Sequence, residues 1–249
     1  FYARRMRRLL PAAVVVIVTT LVVARLWGPA LQLRSTAWDA VWTAGYAVNI
    51  RFAADGVDYL TAAGRPSPLQ HFWSLAVEEQ FYLVWLLLVL AASLLARRAR
   101  RWPVVLVVAA VVLGSLALSI VLTSSSAPSA YFSAATRAWE FGLGGLVAVA
   151  AVRLQTVPRM LRAAATWVGL ALVVGSAVRF DETTPFPGSA ALVPVVGTAL
   201  VIAGGCGFAT RGSTDALLAR RPMQWIGKVS YGWYLWHWPA IVLTVVALD

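Results

Sequence analysis

The chain has 249 residues, of which 60% are hydrophobic and only 12% charged, with a formal net charge of +11. That balance excludes an ordinary soluble domain, in which the apolar share stays below about half. It also excludes nucleic acid as the partner, because the arginines lie in short clusters between apolar runs, where they orient a chain in a membrane. Cys206 is the only cysteine, so the chain builds neither a disulfide framework nor a thiolate metal site of its own.

About 20 apolar helical residues cross a bilayer core of about 30 Å, and seven runs answer to that length. They cover Leu9 to Leu26, Phe72 to Ala96, Trp102 to Leu122, Tyr131 to Val152, Leu161 to Val178, Ala190 to Phe208 and Val229 to Leu248. The expected fold is an all-α polytopic transmembrane bundle forming a single domain over residues 1–249. Basic clusters at residues 4–8, 97–101, 153–162 and 211–228 then fall on one side, which places residue 1 in the cytoplasm of a bacterium and the bundle in its inner membrane. The opposite loops carry Asp55, Asp58, Asp181 and Glu182.

The chain opens on "FYARRMRRLLPA". Its arginines suffice as an orientation signal, and they equally suit the phosphates of an anionic cofactor approaching from the cytosol. The segment "STAWDAVWTAGYAVNIRF", residues 35–52, is apolar enough to attract notice. As a full span it would put the basic clusters on alternating sides, so it reads as a re-entrant or interfacial helix anchored by Trp38, Trp42 and Tyr46.

In "HFWSLAVEEQFYLVW", residues 71–85, helical spacing puts His71, Ser74, Glu78, Tyr82 and Trp85 on one stripe. That stripe avoids lipid, since an ionisable group in a span costs about 2.5 to 3.5 kcal/mol on insertion scales and marks function by default. Glu79 and Gln80 fall off it, which makes Glu79 a supporting residue. In "RAWEFGLGG", Arg137 and Glu140 stand at i,i+3 and are expected to pair structurally. Gly142, Gly144 and Gly145 beside them suit close helix packing. The last run, "SYGWYLWHWPAIVL", aligns Ser230, Tyr234 and His237, the only histidine within a span, and Pro239 predicts a local kink.

Taken in order, these four motifs resemble the membrane-bound acyltransferase family 3, bacterial O-acyltransferases of cell-surface glycans, along nearly the whole chain. The resemblance implies transfer of an acyl group, often acetyl from acyl-CoA (acetyl-CoA), to a carbohydrate hydroxyl, with no permanently bound cofactor and no metal. By position it implies that Arg5 and Arg8 hold CoA phosphates and that Glu78 and His237 are catalytic. His71, Trp73, Ser74, Tyr82, Ser230, Tyr231 and Tyr234 would line the cavity that meets the carbohydrate acceptor. The abrupt start and end imply further helices on both sides, including an upstream catalytic His, so that the chain is a fragment of such an enzyme or an incomplete, inactive relative. A transporter or flippase for a lipid-linked sugar uses in-membrane charges in the same way, and a purely structural membrane subunit is a third reading.

Overall fold

The computed structural model describes residues 2–27, 30–57, 66–96, 102–207 and 214–248, and among them all regular structure is helical. The chain packs as two compact units, residues 1–80 with 225–249, and residues 81–224. Tyr2–Trp27, Val105–Ser125 and Arg159–Arg179 are long and apolar enough to cross a membrane. The expected basic cluster at residues 97–101, with Asp58 and Arg211, lies outside the described residues.

The first unit begins with α1 (Tyr2–Trp27), whose buried residues Ala13, Val16, Thr20 and Ala24 form one narrow stripe of small side chains. Small residues let backbones approach closely, which is how helices associate where lipid is as apolar as their side chains. The expected interfacial segment is two helices, α2 (Ala30–Ala44) and α3 (Val48–Ala54). The break between them is a Schellman motif: Ala47 N donates to Trp42 O at 2.9 Å and Tyr46 N to Thr43 O at 3.0 Å. The left-handed position, usually glycine, is taken by Tyr46 at φ 52°. Arg51 spans the corner, its Nε 2.8 Å from the buried carboxylate of Asp39. Trp38 and Trp42 face outward, as interface anchors would.

Helix α4 (Phe72–Ala96) starts in this unit and continues into the second. The second unit holds α5 (Trp102–Ser125), the short helix α6 (Ala127–Phe132), α7 (Ala134–Leu154), α8 (Arg159–Arg179), α9 (Leu192–Gly204) and α10 (Thr214–Leu218). Ser115 of α5 enters the ladder of α7, accepting from Trp139 N at 3.0 Å and donating to Ala135 O at 2.5 Å. Trp139 itself is buried among Val108, Val112 and Ala191. Helices α8 and α9 meet backbone to backbone: a Cβ on Gly169 would run into Gly197 O.

Three expectations change here. The sixth apolar run, Ala190 to Phe208, yields only a 13-residue helix, about 20 Å long and short of a bilayer core. It stops because Gly204 and Gly205 lead into Gly207, whose φ of 135° suits no side chain and where a Cβ would run into the Arg162 guanidinium. The glycines of α7 also divide: Gly142 is packed by Val112 and Gly145 by Trp85, whereas a Cβ on Gly144 would meet nothing within 4 Å. Helix α11 (Arg221–Leu248) starts eight residues before the expected Val229 and returns to the first unit.

Candidate active site

Within the first unit the guanidinium of Arg5 grips both adjacent carboxylates, Nη2 to Glu78 Oε1 at 2.7 Å and Nε to Glu79 Oε1 at 2.6 Å. Glu79, off the stripe and expected only to support, thus bonds to the neighbouring helix through the same guanidinium as Glu78. Neighbouring residues are about 100° apart around a helix, but a planar guanidinium presents two donor edges and reaches across that angle. One cation against two anions leaves a formal charge of −1 on three half-buried side chains. Arg4, Arg7 and Arg8 of the same helix are exposed, so Arg5 and Arg8 do not share a contact.

Gln80 also acts from off the stripe. Its Nε2 donates to Tyr46 O at 2.8 Å and to Asn49 Oδ1 at 2.9 Å, and its Oε1 accepts from Asn49 Nδ2 at 3.2 Å. The amide thus clamps the left-handed corner between α2 and α3. Nothing in the local pattern pairs residues 31 positions apart, which is why sequence reasoning passed over Gln80 and Asn49.

The second group gathers where the turn at residues 66–71 meets α11. Trp238 Nε1 donates to Ser67 O at 2.9 Å and Tyr234 Oη to His71 O at 2.6 Å. The tyrosine proton being spent there, the Ser74 hydroxyl donates to Tyr234 Oη in a short contact. His71, which precedes the span, is buried, its ring 5.5 Å from Tyr234 and 5.6 Å from His237. Burial first, and then the charge His237 can carry, push the His71 imidazole down to about 3, so it is neutral at physiological pH. The Leu235 carbonyl acts weakly on that ring from the other helix. Pro239 has no N–H to offer Leu235, the residue four positions before it, so this acceptor is free.

His237 is exposed and its Nδ1 lies 2.6 Å from Tyr234 O. A carbonyl only accepts, so in the neutral ring Nδ1 carries the proton and Nε2 presents a lone pair. Tyr231 donates to Leu9 O at 3.1 Å, and Trp73 is half-buried. Ser230 is exposed and bonds back to Gly227 O on its own helix, away from the group. Tyr82 belongs to the part of α4 in the second unit, where it stands edge-on to Phe81. Among the described residues no three His, Cys, Asp or Glu side chains are grouped to hold a metal ion.

Helices fit for a bilayer, with a carboxylate–arginine cluster and two imidazoles in edge-on contact inside one unit, define a polytopic membrane protein built around a polar site. The chain belongs to the acyltransferase 3 family, whose acyltransferase domain it matches over residues 1–248. It is 32% identical over 98% of its length to YrhL of Bacillus subtilis strain 168, named as a candidate peptidoglycan O-acetyltransferase, and covers 39% of that protein. It is 31% identical over its whole length to the peptidoglycan O-acetyltransferase OatA of Listeria monocytogenes, covering 41%. To the O-acetyltransferase OatA of Staphylococcus aureus it is 28% identical over 97% of its length, covering 40%. The chain thus spans about two fifths of these curated relatives. No solved structure matches it.

Proposed function

We propose that the protein is the membrane-embedded part of an O-acyltransferase that moves an acyl group, acetyl by analogy with its relatives, from acyl-CoA to a hydroxyl of a cell-surface or lipid-linked carbohydrate. The observation that carries this reading is His237, whose Nδ1–H is held by the Tyr234 carbonyl so that Nε2 faces outward as a base. In the step, the acceptor oxygen attacks the thioester carbonyl, its proton passes to His237 Nε2, and the CoA thiolate leaves and takes the proton. General-base assistance of this kind contributes about 10²- to 10⁴-fold. His71, neutral and buried beside the ring, supports His237 without competing for the proton.

The names of the relatives support the acyl transfer; the charge pattern supports the inner membrane and a cytoplasmic residue 1. The exposed Arg4, Arg7 and Arg8 suit the donor's phosphates, while Arg5 is occupied by the two carboxylates. The test is transfer of a labelled acetyl group from acetyl-CoA to glycan in membranes that contain the full chain. Transfer should fall by about 10²-fold or more in His237→Ala. Passage of unmodified substrate across vesicles without consumption of acyl-CoA would instead establish a transporter and overturn the proposal.

A further inference from the structure

The second unit contains a cavity of about 360 Å³ between α7 and α9 that the catalytic reading does not use. Glu140, Phe141 and Gly144 line one wall, and Pro194, Thr198 and Ile202 the other. From Pro194 to Ile202 the wall runs about 12 Å along its helix. Such a slot is long and mostly apolar. An apolar cavity of about 150 Å³ stays dry and takes benzene, so this one has room for a hydrocarbon chain, and the bilayer supplies such chains. Gly144 keeps the slot open, since a Cβ there would project into empty space.

Two polar side chains line this space, and the hydroxyl of one, Thr198, is already spent on Pro194 O at 2.8 Å, which leaves Glu140. Glu140 Oε1 accepts from Arg137 Nη1 at 2.8 Å, while its other carboxylate oxygen makes no hydrogen bond among the described residues. Arg137 is turned away, lying over the rings of Tyr131 and Phe186 at 5.1 and 5.0 Å. The pair is already neutral, so an ammonium head would bring an unbalanced charge into an apolar slot, at high desolvation cost. A hydroxyl adds a donor and no charge. We propose that this cavity binds the hydrocarbon chain of a hydroxyl-headed lipid, the hydroxyl donating to Glu140 Oε2.

The test places the full chain in lipid nanodiscs with a long-chain alcohol carrying a diazirine along its chain, and maps the photoadducts by mass spectrometry. Adducts should concentrate on residues 141–144 and 194–202. The plain alcohol should compete at about tenfold lower concentration than the methyl ether of the same chain, which cannot donate. Gly144→Leu, which fills the slot without backbone strain, should remove most adducts while keeping the thermal midpoint. Should that variant not fold, Ala199→Leu fills the same space. Adducts spread evenly over outward faces of α5 and α8, equal competition by alcohol and ether, or undiminished labelling of a folded variant would each overturn the proposal. So would a crosslink showing that another polypeptide segment occupies the slot.

Discussion

Removing Arg5 tests the carboxylate cluster more sharply than removing either glutamate. Arg5, Glu78 and Glu79 are only 18%, 29% and 18% exposed, so water screens them poorly. In Glu78→Gln the amide oxygen still accepts from Arg5, and Glu79 remains as a one-to-one partner. The loss is the difference between a charged and a neutral hydrogen bond, about 1 kcal/mol, offset by relief of repulsion between the two carboxylates. Arg5→Ala instead leaves two partly buried anions facing each other, and breaking a buried pair in this way costs about 3–5 kcal/mol. At about 2–4 °C per kcal/mol for a chain of this size, the midpoint should fall by about 6–20 °C, whereas Glu78→Gln should move it by a few degrees at most.

The assay is thermal unfolding followed by intrinsic tryptophan fluorescence in detergent micelles, with acetyl transfer measured on the same preparations. Arg5→Ala combined with Glu78→Gln and Glu79→Gln should recover most of the lost stability, because no uncompensated charge is left. If Arg5→Ala is as stable as the parent, or the triple variant is no better than Arg5→Ala, the three side chains do not act as one charge cluster. Since both glutamates meet the same guanidinium, Glu78→Gln and Glu79→Gln should reduce transfer to similar extents. A large effect confined to Glu78 would restore the distinction that the helical stripe makes.

His71 gives a pH prediction: its folded value of about 3 lies below the ordinary 6.5, so the unfolded chain binds more protons between them and stability is lost as pH falls from about 6.5 toward 3. The thermal midpoint of His71→Gln should be flatter over that range than the parent's. Gly197→Leu should lower the midpoint by several degrees, because its Cβ would lie 2.8 Å from Gly169 O, whereas Gly175→Ala, with nothing within 4 Å, should not. Replacing Arg4, Arg7 and Arg8 together by Ala should raise KM for acetyl-CoA, more at low salt than at high. Arg98→Ala, on the same expected side, should not.

Apolar run length located the helices closely: the expected Phe72 to Ala96 coincides with α4, and the expected start at Trp102 with α5. What run length does not carry is backbone chemistry. The sixth run looked long enough because hydropathy counts glycine as neutral, yet Gly204 to Gly207 end the helix. The helical stripe likewise placed His71 and Ser74 together, and they do share Tyr234. It separated Glu78 from Glu79 because a stripe describes where a side chain leaves the helix, not how far a guanidinium from another helix can reach. Tyr46 shows the same limit, since a non-glycine left-handed corner is held by Gln80, and no local rule announces that.

The polar wealth of the site motifs divides once the backbone's needs are met. Irregular backbone that is buried must find partners for its amides and carbonyls within the protein, and this unit contains such backbone at the Tyr46 corner and at the turn before α4. Gln80 serves the carbonyl of Tyr46, Tyr234 that of His71, and Trp238 that of Ser67. These three side chains are committed to architecture. Arg5 is committed too, by its two carboxylates. Among the described residues His237 Nε2 and the second oxygens of Glu78 and Glu79 make no hydrogen bond and are not buried out of reach, whereas the side-chain polar atoms of Gln70 and His71, also without partners, are fully buried. A base and two anionic oxygens in one unit are what proton removal from a hydroxyl, and charge support for the resulting imidazolium, would draw on. On the proposed function, the chemistry would rest on atoms that the fold does not need.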